Sequence, residues 1–123
     1  MHQFAEISFG KFIKEKRTLH GKSIRSFSEE IGISAAYLSD IENGNRYPPQ
    51  KYLSALIEKL CLNMEETEIL YDLVGRESGN YIDINIYLKD NENARKALRL
   101  AIQKNMTSFD WQKVIDEYIK RYN

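Results

Sequence analysis

Apolar residues recur three and four positions apart along most of the chain, the spacing of one face of a helix. In FGKFIKEKRTL, Phe9, Phe12, Ile13 and Lys16 share such a face, and Ser8 stands where an N-cap belongs. Residues 23–44, SIRSFSEEIGISAAYLSDIENG, read as two short helices about a tight turn. Ser23 caps the first, Phe27 and Ile31 give its buried face, and Gly32 ends it in a left-handed conformation that disfavours a Cβ. Ile33 plugs the corner, Ser34 caps the second helix, and Leu38 and Ile41 form its stripe before Gly44 closes it. Tyr52, Leu53, Leu56, Ile57 and Leu60 predict a fourth helix. Asn63 caps a fifth, MEETEILYDLV, which Gly75 is expected to end, and Glu65, Glu66 and Glu68 suit its N-terminal dipole.

Beyond RESGNY, a turn-rich connection, the pattern is again helical. Asp83 is expected to cap INIYLKD, and Asn91 to cap ENARKALRLAIQKN, whose stripe is Ala94, Ala97, Leu98, Ala101 and Ile102. Thr107 and Asp110 have capping-box spacing. They lead into WQKVIDEYIKRY, where Trp111, Val114, Ile115, Tyr118, Ile119 and Tyr122 share one face. Neither an internal repeat nor a low-complexity segment is present.

The second helix of residues 23–44 keeps Ala35, Ala36, Ser39, Asp40 and Asn43 away from its apolar stripe. Two helices about a glycine turn, the second with a slim polar face, describe a DNA-binding helix-turn-helix. The stretch resembles the Cro/repressor-type (XRE) family through Phe27, Ser28, Ile31, Gly32, Leu38, Ile41, Glu42 and Gly44. Ser28 departs from the family's usual alanine, and serine is nearly as small. The resemblance implies an all-α fold, a five-helix lambda-repressor-like helix-turn-helix domain over residues 1–75, and the helical spacing beyond it predicts a helical C-terminal extension over residues 76–123. The resemblance also implies an ion pair inside the domain between Arg17 and Glu42.

By the same resemblance, Ser34, Ala35, Ala36, Ser39 and Asp40 face the major groove of double-stranded DNA. Alanine methyls pack on thymine methyls and let a helix sit deep, while an aspartate accepts from a cytosine amino group. Asp40 is equally suited to a local pairing with Arg25 or Arg46. Arg25 lies where the family contacts the DNA backbone, and Tyr37 either offers its hydroxyl to a phosphate or covers the domain edge. Asn43 joins Tyr37 and Asp40 as a source of selectivity. Asn45, Arg46 and Tyr47 lie in a loop held extended by Pro48 and Pro49, with Arg46 as a phosphate clamp. Lys14 and Lys16 stay open to phosphate contact. The family binds palindromic DNA as two-fold dimers, and the aromatic-rich face of Trp111, Ile115, Tyr118, Ile119 and Tyr122 is the expected homodimer interface.

Charge and composition adjust this picture only a little. The net charge is zero over 123 residues. The first sixty residues carry nine Lys or Arg against seven Asp or Glu, a slight excess that favours docked geometry over nonspecific attraction. No apolar run reaches the roughly 20 residues that span a bilayer, and no secretory h-region opens the chain. Cys61 is the single cysteine, which fits a reducing cytoplasm, and its place in LIEKLCL predicts burial. No metal spacing, cofactor loop or catalytic set appears, so neither an enzyme nor a cofactor is expected. The expected activity is a sequence-specific regulator, a repressor acting as a homodimer. The alternative is an antitoxin or inhibitor module that binds a protein partner, for which the acidic stretch from Glu65 to Glu92 offers a surface.

Overall fold

Ser8, Ser23 and Ser34 each sit in extended backbone and accept the N–H three residues on, at 3.2, 3.1 and 3.0 Å. These caps start the first three helices of the chain. The computed structural model describes residues 7–122, which form eight helices and no strand. In order they are α1 (Phe9–Leu19), α2 (Ile24–Ile31), α3 (Ala35–Glu42), α4 (Gln50–Lys59), α5 (Met64–Ser78), α6 (Ile82–Lys89), α7 (Glu92–Gln103) and α8 (Ser108–Tyr122). The chain divides into two compact units, with the division between Asn85 and Ile86, inside α6.

In the first unit, α3 packs on α1 and α2, α1 on α5, and α2 on α4. The spacing that predicted each helix face also fills the core. Phe9, Phe12, Ile13, Phe27, Leu38, Ile41, Leu53, Leu56 and Leu70 are fully buried together, with Ile31, Leu60, Leu73 and Val74 nearly so. Ile33 packs against this cluster from the turn, as expected. Gly32 takes φ 79° there, a conformation any side chain would strain. Asn63 and Glu66 complete a reciprocal capping box on α5.

Three expectations for this unit need correction. Gly75 does not end α5. The helix runs on to Ser78 and is capped by Gly79, while Gly75 is buried where a Cβ would lie 2.1 Å from the ring of Tyr81. Glycine is there for close approach to Tyr81 and not as a helix stop. Cys61 is exposed. It occupies the left-handed position after α4, at φ 52°, while the bond from Leu62 N–H to the Ile57 carbonyl closes the helix end. Leu60, its neighbour, takes the buried site. Asp83 lies inside the first turn of α6, which begins at Ile82, so it is not the cap.

The second unit is thinly packed. Thr107 and Asp110 exchange the expected capping-box bonds at the start of α8. Asn91 stands at the N-cap of α7 but sends its side-chain amide to the Tyr87 carbonyl, so it makes no cap bond. Arg95 ties the same corner, donating from Nη1 to the carbonyls of Leu88 and Lys89. Among its described residues only Ala101 is buried. The apolar stripe expected on α7 is therefore largely open, with Ile102 74 % exposed.

Candidate nucleic-acid interface

The geometry of α3 is fixed from behind. Where α1 crosses its C-terminal end, a Cβ on Gly10 would fall 2.3 Å from the Glu42 carbonyl oxygen, so only glycine permits the contact. Below it, Arg17 donates from Nε to Glu42 Oε2 at 2.7 Å and from Nη2 to Oε1 at 2.9 Å. Its Nη1 also reaches the Lys22 carbonyl at 2.8 Å, tying in the turn before α2. The bond to Glu42 raises the Arg17 pKa above its ordinary value, against the opposing effect of burial. The pair anticipated between these residues is present, and it locks α3 to α1.

The outward side of α3 is small and open. Ser34, Ala35, Ala36 and Asn43 are exposed, and Ser39 is half-buried. Ser34 spends its acceptor on the Tyr37 N–H, which leaves its hydroxyl proton to donate. Asn43 reaches Ser39 Oγ through Nδ2 at 3.4 Å. Neither α2 nor α3 carries an acidic residue in its first turn. The positive ends of both helix dipoles are therefore left without a carboxylate of their own. Arg25, in the first turn of α2, is exposed.

Around the following loop the candidate residues contact one another. Arg46 Nε lies 3.6 Å from Asp40 Oδ2, and its guanidinium stands 5.3 Å from the Tyr37 ring. Of the two local partners left open for Asp40, the structure selects Arg46. Tyr37 meets Tyr52 edge-on at 5.8 Å, and the Lys51 ammonium stands over that second ring at 5.5 Å. This edge is thus two aromatic rings flanked by two cations. Asn45 is exposed, and its N–H is held by the Asp40 carbonyl at 2.9 Å.

Lys16 does not belong to the open surface. It pairs with Glu66 across α1 and α5 and lies over the Phe12 ring, with its side chain only 12 % exposed. The bond to Lys16, helped by the Asn63 N–H, holds the Glu66 carboxyl below its usual range. Lys14 remains exposed. Gly10 escaped notice in the sequence, although a glycine inside a helical pattern is a signal of close backbone approach.

The helix-turn-helix family model matches residues 13–66. Over 63 residues the chain is 41 % identical to the ImmF control region 10 kDa protein of Bacillus phage phi105, spanning 49 % of this chain and 70 % of that protein. The chain belongs to the Cro/repressor-type (XRE) helix-turn-helix family. Its members are DNA-binding regulators, and the matched span runs from α1 to the first turn of α5, which contains the whole α3 surface. No solved structure matches the chain significantly. No helix among the described residues is long and apolar enough to cross a membrane.

Proposed function

We propose that this chain is a sequence-specific transcriptional repressor that binds a palindromic operator as a homodimer. The observation that carries the reading is the α3 face. It is a helix of small exposed residues, braced from behind by Gly10 and the Arg17–Glu42 pair and flanked by Arg46. Such a helix enters the major groove closely because Ser34, Ala35 and Ala36 at its start are small, while the larger Tyr37 packs against Tyr52 and Arg46. In this reading Ser34, Ala35, Ala36, Ser39, Asp40 and Asn43 meet base edges, while Arg25, Tyr37, Asn45 and Arg46 serve the backbone. The control-region name of the phage relative supports a regulatory role for the same module.

The first five helices bind DNA and the extension dimerises. One module of this size buries too little surface to select a single genomic site, which a two-fold dimer overcomes. On α8, Ile115, Tyr118, Ile119 and Tyr122 are between 48 and 66 % exposed, an apolar face that requires a cover. Trp111, the remaining member of that face, is half-buried. A second copy suits it: along α8 Asp110, Asp116 and Glu117 outnumber Lys113, and basic Lys120 and Arg121 follow them. Two α8 helices running antiparallel would set unlike ends side by side. The same uncovered face favours, as a second reading, a heterologous protein partner of the antitoxin or inhibitor type.

The deciding experiment is selection of bound duplexes from a random DNA library at low and near-physiological salt. An enriched palindrome that survives the higher salt is the expected result. Weak binding that vanishes with salt, together with copurification of a tight partner, would replace the repressor by the interaction module.

A further inference from the structure

The loop that carries Arg46 is anchored at both ends, and one anchor comes from outside the helix-turn-helix. Asn45 is held by the Asp40 carbonyl on the α3 side. On the other side Tyr47, which directly follows Arg46, donates its hydroxyl to Glu77 Oε1 at 2.9 Å. The second oxygen of that carboxylate, Oε2, accepts the Phe9 N–H at 2.7 Å. Phe9 is the first residue of α1, so its N–H is one of the donors a helix start leaves without an internal partner. The Phe9 and Tyr47 rings, 6.0 Å apart, close the same junction.

The geometry points to Glu77, in the last turn of α5, as the positioning residue of the Asn45–Tyr47 loop, acting through Tyr47. The proposal rests on the reading of Arg46 as a DNA-backbone contact. A carboxylate suits this position because it has two oxygens for two donors and favours the positive end of α1. Fixing Tyr47 fixes the backbone next to Arg46, so the guanidinium meets a phosphate with less ordering left to do. Glu77 itself never reaches the DNA.

The test measures binding of the full chain to a short fluorescein-labelled duplex of mixed sequence at low salt. Tyr47→Phe and Glu77→Ala are each expected to lose about threefold to tenfold in affinity, the value of one hydrogen bond. Glu77→Gln, which keeps an acceptor oxygen, loses less. The double variant Tyr47→Phe with Glu77→Ala loses no more than the larger single loss, and on an Arg46→Ala background neither change matters. Tyr47→Phe leaves the Phe9 bond and the ring packing in place, so its effect is separate from any loosening of α1. Wild-type affinity in Tyr47→Phe, or an undiminished loss on the Arg46→Ala background, overturns the positioning role. A wild-type chain that binds no duplex at any salt overturns the DNA reading beneath it.

Discussion

Arg17 and Glu42 meet at two points inside the core, through Nε–Oε2 at 2.7 Å and Nη2–Oε1 at 2.9 Å, and so join α1 to the end of α3. Both side chains are more than nine-tenths buried. Removing one partner strands the other charge out of water, and such losses cost about 3–5 kcal/mol. Arg17→Met is therefore expected to lower the unfolding free energy by about that amount, read as a lower urea midpoint with an unchanged denaturant slope. Arg17→Met combined with Glu42→Met should recover much of the loss, because no buried charge remains. A double variant as unstable as the sum of the two singles would contradict this account of the pair.

Lys16 and Glu66 make the stability of the first unit depend on pH. The Glu66 carboxyl is held below its ordinary value in the fold, chiefly by the Lys16 bond and then by the Asn63 N–H. A depressed folded-state pKa contributes stability above the unfolded value, and that contribution is lost as pH falls through the folded one. Wild type is thus expected to melt above Glu66→Gln at neutral pH. The gap should close on acidification through and below the ordinary carboxylate range. A gap that stays constant between neutral and strongly acidic pH would show that the pair contributes nothing through its charge.

Arg46 and Asp40 separate two kinds of DNA recognition. Arg46→Glu removes a cation and sets a second carboxylate beside Asp40, whose Oδ2 now lies 3.6 Å from Arg46 Nε. The expected result is weaker binding to every sequence, with a salt dependence reduced by about one counterion. Asp40→Ala is expected to change sequence preference most, with a smaller change on mixed-sequence DNA because Arg46 keeps its place over Tyr37. Anisotropy titrations across several salt concentrations test both. Equal binding by wild type and both variants would remove this face from the interface.

The domain was legible where one helix face carried one meaning. Phe27, Ile31, Leu38 and Ile41 lie in the core because three-and-four spacing admits no other face. Serine caps and the Gly32 turn were equally plain, since each answers a local need of the backbone. What was hidden depends on neighbours and helix ends that the spacing does not record. Lys16 looks like a surface cation until α5 brings Glu66 to it. Gly10 and Gly75 carry no Cβ because another part of the chain passes there, and periodicity holds no record of that neighbour. Cys61 sits in an apolar helical spacing, but the helix has already ended and the chain has turned it outward. The candidate contacts on α3 could be named by position, whereas the Asp40–Arg46–Tyr37 arrangement required the fold of the loop.

The last prediction concerns the open face of α8. Ile115 and Ile119 are 48 and 51 % exposed, one helical turn apart, between Trp111 and Tyr122 along the helix. If a second copy covers them, Ile115→Asp with Ile119→Asp buries carboxylates at the interface, which costs several kcal/mol. The expected product is a monomer by sedimentation, with the first unit still folded because its core contains neither residue. Charge should matter in a distinguishable way. Lys120→Glu with Arg121→Glu makes the polar flank of α8 almost wholly acidic, so two copies repel, and added salt should partly restore the dimer. A dimer that persists through both sets of changes would place the interface elsewhere. A wild-type chain that is monomeric at micromolar concentration would instead leave the α8 face for a different protein.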